Sequence, residues 1–185
     1  MRSSLQRLVL AGLALVAALS SAHCGRSSDA PGAEPSGAGA DCCELTPNAA
    51  LPQGSGGIFV SYPGDGAEST RLEVYAVGAA SEALGGGYGD ARVELPPGAY
   101  DVIVGGRRLT GVPVQAGHDT RVRTGVLHVY AGADTRIDLL DDARGEKVAG
   151  GYGEKRYGLP VGPVVVEVAG LHDTALIEDG KVTEF

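Results

Sequence analysis

The residues of this 185-residue chain best equipped for chemistry are its three cysteines, Cys24, Cys42 and Cys43. Two adjacent thiols lack the Cys-x-x-Cys spacing that lets a pair converge on one metal ion or exchange with each other, and no histidine lies beside them. Four outcomes stay open. Cys24 could pair with Cys42 or Cys43, the adjacent pair could close a strained vicinal ring, one thiol could join two molecules, or all could be incidental residues of a spacer.

The other candidates for catalysis or ligand binding give weaker signals. His118-Asp119-Thr120 and His172-Asp173-Thr174 repeat as a tripeptide, but their spacing of 54 differs from that of the main internal repeat. Ser61, Ser69 and Ser81 lack the setting of a nucleophile elbow. Histidines 118, 128 and 172 read as exposed loop residues. Asp138-Leu139-Leu140-Asp141-Asp142-Ala143-Arg144-Gly145-Glu146 is acidic enough to suggest calcium, yet it lacks the alternating ligands of a calcium loop and reads as a solvated hairpin. Gly85-Gly86-Gly87-Tyr88-Gly89 and Ala149-Gly150-Gly151-Tyr152-Gly153 resemble phosphate loops only superficially, because neither leads into a helix or carries a P-loop lysine. Hairpin loops explain both. No catalytic, metal or cofactor residue is assigned, and Tyr88 and Tyr152, each flanked by glycines, are the candidate interaction residues.

The elements that would position these residues are written twice. The segment from Gly86 to Val104 aligns without a gap on the segment from Gly150 to Val168, 64 residues later, with 10 of 19 positions identical. Around it the apolar residues alternate. Leu72, Val74 and Ala76 share one face, Ile137 and Leu139 repeat that face at an offset of 65, and Tyr100, Val102 and Val104 correspond to Val164, Val166 and Val168. No stretch sustains a helical period, and 30 glycines and 10 prolines punctuate the chain at strand-like intervals. The expected fold is all-β: two tandem small Ig-like or transthyretin-like β-sandwich repeats, over residues 57–125 and 126–185. Only Arg123-Thr124-Gly125 separates Val122 from Val126, so the two should form one stiff body.

Upstream, Arg2 and Arg7 precede an apolar run from Leu8 to Leu19 and then Ser20-Ser21-Ala22, the order of a secretory signal peptide. A helix over that run would reach about 18 Å, short of a hydrocarbon core of about 30 Å. Residues 1–24 are therefore read as an export leader. Leu19-Ser20-Ser21-Ala22-His23-Cys24-Gly25 resembles the lipobox of bacterial lipoproteins, with His23 where that family has a small residue. The resemblance implies acylation of Cys24 and membrane attachment through the lipid; the alternative is cleavage after Ala22 and release of a soluble periplasmic or secreted protein. Residues 25–56, dominated by Gly, Ala, Ser and Pro, read as a disordered linker.

Leu95-Pro96-Pro97-Gly98-Ala99-Tyr100-Asp101-Val102, followed by Gly111-Val112-Pro113-Val114-Gln115-Ala116-Gly117, resembles the carboxypeptidase-regulatory-like and PEGA-like β-sandwich modules of bacterial envelopes. That resemblance implies a spacer, scaffold or binding platform rather than a particular activity. Independently of any family, Pro and Gly make a tight turn, and the following tyrosine can enter the core with its hydroxyl at the edge. The second copy has Pro163-Val164 in place of Ala99-Tyr100, and a proline at that point predicts an edge strand.

A formal charge of −8 argues against nucleic acid as a partner. The one basic group, Arg107, Arg108, Arg121 and Arg123, reads as solvated strand faces or a guarded sheet edge. The functional expectation is a noncatalytic exported envelope protein acting as a structural or protein-interaction module, with envelope proteins as partners. The alternative is a module binding an envelope glycan or a metal ion.

Overall fold

Alternating apolar residues become strands throughout the structure, a computed structural model that describes residues 42–79 and 81–185. The leader, Cys24 and the linker up to residue 41 lie outside the described residues. The strands are β1 (Cys43–Pro47), β2 (Gly56–Val60), β3 (Arg71–Ala76), β4 (Ala83–Tyr88), β5 (Ala91–Leu95), β6 (Gly98–Val104), β7 (Arg107–Val114) and β8 (His118–Val122). They continue as β9 (Thr124–Val129), β10 (Arg136–Asp141), β11 (Lys147–Tyr152), β12 (Lys155–Pro160), β13 (Gly162–Val168), β14 (Leu171–Ile177) and β15 (Val182–Glu184). Helix is absent among the described residues, so the fold is all-β.

The strands form four sheets, ordered β1-β8-β2-β5, β4-β3-β6-β7, β12-β9-β15 and β11-β10-β13-β14. Adding seven to each strand number from β2 to β8 converts the first two sheets into the last two. The correspondence extends to strand direction, because β2–β8 and β9–β15 are the two parallel pairs and every other pair is antiparallel. It also extends to register. Leu72↔Val104 and Val74↔Val102 in the first half become Ile137↔Val168 and Leu139↔Val166 in the second. Even the bulge recurs, between Val74 and Tyr75 and between Leu139 and Leu140.

Two apolar clusters form beneath this pattern. One contains Ile58, Val60, Leu72, Val74, Val102, Val104, Val112 and Val122. The other contains Leu127, Val129, Ile137, Leu139, Leu159, Val164, Val166 and Ile177. Burial of each such side chain stabilises by about 1.5–3 kcal/mol, which is why the alternation fixes the register: a one-residue slip would turn every one of them outward. Ala76 departs from the expectation and is exposed, while its neighbour Tyr75 is buried on the opposite face against the Arg108 guanidinium, 5.4 Å from the ring centroid.

The expected linker over 25–56 is corrected at its end. Residues 43–47 form β1, which pairs along the outer edge of β8 from Cys43↔Val122 to Pro47↔His118. Asn48 then donates to the buried Asp119 at 2.8 Å, and Leu51 is buried. The sequence hid this strand because β1 is held by backbone hydrogen bonds and leaves Glu44, Leu45, Thr46 and Pro47 exposed, so it carries no apolar alternation. Pro163 is a second correction. It lies in β13, which has β10 on one side and β14 on the other. Its missing N–H is tolerated because the β10 ladder ends one residue away, at Asp141↔Val164.

The described residues of both halves belong to one compact unit, as the short connection requires. The β2–β3 loop of the first half reaches the second, where the Asp65 carbonyl accepts from the Arg156 guanidinium at 2.9 Å and Thr70 Oγ1 from the Gly158 N–H at 3.1 Å. The basic group is also corrected here. Arg121 and Arg123 meet Asp179 at 2.8 and 3.3 Å, Arg107 meets Asp141 at 3.5 Å, and Arg108 meets Asp101 at 3.2 Å. Three of the four arginines thus pin one half to the other.

Candidate interaction surface

Tyr88 and Tyr152 end the edge strands β4 and β11 and are 65% and 59% exposed. Register places each directly opposite an arginine, Tyr88↔Arg71 and Tyr152↔Arg136, so each tyrosine shares the outer sheet face with a guanidinium. Two residues along, Glu73 and Asp138 accept from those arginines at 2.8 Å. The first half adds the Tyr75 hydroxyl, which donates to Glu73 at 3.0 Å, and the second adds Lys147 on Asp138. The Lys147 ammonium, followed by Arg136, holds the Asp138 carboxyl below the usual carboxylate range. The same arginine, acid and tyrosine are thus displayed twice.

The glycine segments make room for this arrangement, and their expected role as hairpin loops is corrected. Gly85, Gly86 and Gly87 lie inside β4, and Gly150 and Gly151 inside β11. A Cβ on Gly86 would meet the backbone of Leu72, and one on Gly150 would come within 2.7 Å of Asp138 Oδ1. Only Gly89 and Gly153 are turn residues, with φ of 60° and 72°.

Each arginine borders a cleft that also touches the next hairpin turn of its sheet. Arg136, Asp138, Glu167, Ala169 and Gly170 line one of about 350 Å³. Arg71 and the Gly105-Gly106 turn line another of about 360 Å³, whose far wall is Lys155, Arg156 and Tyr157 of the second half. The first lining offers a guanidinium and two carboxylates, and the second offers guanidinium, ammonium and hydroxyl groups.

The remaining sequence candidates separate. Asp119 and Thr120 are buried strand residues rather than loop residues, with Asp119 held by Asn48 and by Arg92 at 2.7 Å. His172-Asp173-Thr174 lies exposed on β14. His128 is buried on β9 with Glu154 2.7 Å from Nε2, Glu184 3.1 Å from Nδ1 and the Tyr130 ring centroid 4.1 Å away. Asp141 caps its own turn by accepting from the Ala143 N–H at 2.9 Å, a hairpin as expected.

Sequence reasoning missed Asp101, which is 3% exposed and accepts from the N–H groups of Gly78 and Gly111 and from Arg108. The bulge at Tyr100/Val102 places it among those donors. Its only sequence signal is an acid within an apolar strand.

No protein-family model and no curated protein sequence matches the chain. Among solved structures, the Bacillus anthracis TIE protein aligns with 14% identity and a TM-score of 0.32, over 70% of this chain and 33% of its own. The chain therefore spans about a third of that protein's length.

Proposed function

We propose that the chain is a noncatalytic envelope protein, exported and anchored through a lipid on Cys24, in which two tandem Ig-like or transthyretin-like sandwiches present a protein-interaction surface. The observation that carries this reading is the duplicated exposed arginine–acid–tyrosine face, Arg71, Glu73 and Tyr88 in one half and Arg136, Asp138 and Tyr152 in the other. Exposed tyrosines beside arginines combine two of the side-chain types enriched where proteins bind one another. The ion pairs across the junction support a rigid display of both copies at fixed spacing.

Two measurements test the two parts. Intact mass spectrometry of protein from membrane and soluble fractions of an expressing bacterium should find a di- or triacylated chain beginning at Cys24, lost in Cys24→Ser. An unmodified chain beginning at His23 in the soluble fraction would remove the anchor. A photo-crosslinking residue at position 88 or 152 should give a defined envelope-protein adduct that Arg71→Ala with Arg136→Ala abolishes. Adducts no different from those at the exposed Leu171 would remove the surface.

A further inference from the structure

Consecutive residues of a strand point to opposite faces, yet Cys42 and Cys43 both turn toward the first apolar core. A bend at Cys42 immediately before β1 makes this possible. Their sulfurs stand 3.1 Å apart, inside van der Waals contact. Cys42 is 4% exposed, whereas Cys43 is half-buried and reachable from solvent. The backbone around the pair is fixed, because the Cys42 carbonyl accepts from the Arg123 N–H at 2.7 Å and Cys43 pairs with Val122.

We propose that Cys42 and Cys43 are a dithiol–disulfide site that closes a vicinal bridge when the chain meets a disulfide oxidant of the glutathione class. The Cys43 thiolate attacks the oxidant, forming a mixed disulfide and expelling one thiolate, which takes up the proton lost from Cys43. The Cys42 thiolate then attacks Cys43 Sγ, expels the second thiolate and leaves its proton to it. Two protein thiols are oxidised by two electrons and one disulfide is reduced to two thiols. Access assigns the order, since the buried Cys42 sulfur cannot be approached by an external disulfide but already touches Cys43. The bridge stiffens the entry to β1, the strand that joins the upstream segment to the edge of β8. Hydrogen bonding to Cys42, then burial, pushes the Cys43 thiol up, so closure is slow near neutrality and accelerates with pH. Closure in the cell rests on the proposed export; the chemistry of the site does not.

The test uses the full chain carrying Cys24→Ser, reduced and then incubated with oxidised glutathione, alkylated and digested. The expected product is a fragment holding both cysteines, two hydrogens lighter and closed to alkylation until reduced, forming about a hundredfold faster at pH 9 than at pH 7, because the thiolate fraction of a thiol titrating well above pH 9 rises about tenfold per pH unit. In single variants, Cys42→Ser should leave a Cys43 that takes up glutathione about tenfold faster than the Cys42 left by Cys43→Ser. Two alkylated thiols, stable double glutathionylation or a link between chains would overturn the site, and the reverse order of reactivity would overturn the assigned attacker. Closure by glutathione combined with reduced thiols in protein taken from cells would uphold the site and count against export.

Discussion

Gly105-Gly106 and Ala169-Gly170 are the same turn in two settings. Both connect the third and fourth strands of a four-stranded antiparallel sheet, β6 to β7 and β13 to β14, and all four residues have positive φ, from 52° to 85°. The first turn is pressed against the other half, where a Cβ on Gly105 would meet the Gly158 carbonyl and one on Gly106 the Val148 carbonyl. The second is open, with nothing within 4 Å of the position a Cβ on Gly170 would take. Backbone shape is therefore set by the hairpin and is shared by the halves. Absence of a side chain is set by the neighbour and is not shared, which is why alanine is tolerated at 169.

The two halves differ most in energetic consequence at Asp101, whose counterpart is Val165. Asp101→Ala should cost about 3 kcal/mol in urea unfolding, because it leaves two backbone donors without their acceptor and removes the carboxylate paired with Arg108. Val165→Ala should cost less than about 1 kcal/mol, and equal losses would mean that Asp101 is not organising its sheet.

Next come the turns. Gly106→Ala should destabilise by about 3 kcal/mol, through positive φ and overpacking together, whereas Gly170→Ala meets the φ term alone, about 1 kcal/mol. Matching values from chemical denaturation would show that the close approach of the halves contributes nothing.

Tyr62 of the first half lies at the junction with the second. Its hydroxyl is buried with no hydrogen-bond partner among the described residues, and its ring lies where a Cβ on Gly158 would fall. Tyr62→Phe should stabilise by about 1 kcal/mol. Burial, and then the Asp90 carboxylate, raise the Tyr62 ionisation above its ordinary value. The folded chain then keeps a proton that the unfolded chain loses above about pH 10, so this contribution is intact below that pH and declines as pH rises further. Denaturation midpoints between pH 9 and 11.5 should fall more steeply for the native protein than for Tyr62→Phe.

The smallest effect belongs to Ala169, the one non-glycine described at positive φ. Ala169→Gly should stabilise by about 0.5 kcal/mol, the relief of strain being partly offset by the added freedom of glycine in the unfolded chain. A calorimetric shift in the opposite direction would place the strain elsewhere.

The all-β class, the internal repeat and most core positions were legible because alternation is a local property: Leu72, Val74, Ile137 and Leu139 are apolar two apart and buried as that spacing demands. The tyrosine two residues after Gly98 was legible for the same reason, its hydroxyl donating back to the Pro96 carbonyl at 2.8 Å, whereas Gly98 itself opens β6 without a positive φ. Of the candidate surface, Tyr88 and Tyr152 stood out between glycines, but their arginine partners did not. Those pairings depend on the register of β3 with β4 and of β10 with β11.

What the sequence determined by itself is what neighbouring residues impose on one another: strand periodicity, turn chemistry, and the duplication of both. Tertiary structure alone decided that β1 is a strand, that Arg107, Arg121 and Arg123 bind across the junction, and that Asp101, Asp119 and His128 are buried. Each depends on a partner many residues away, and a polar side chain or a strand held by backbone hydrogen bonds carries no local pattern that names its partner.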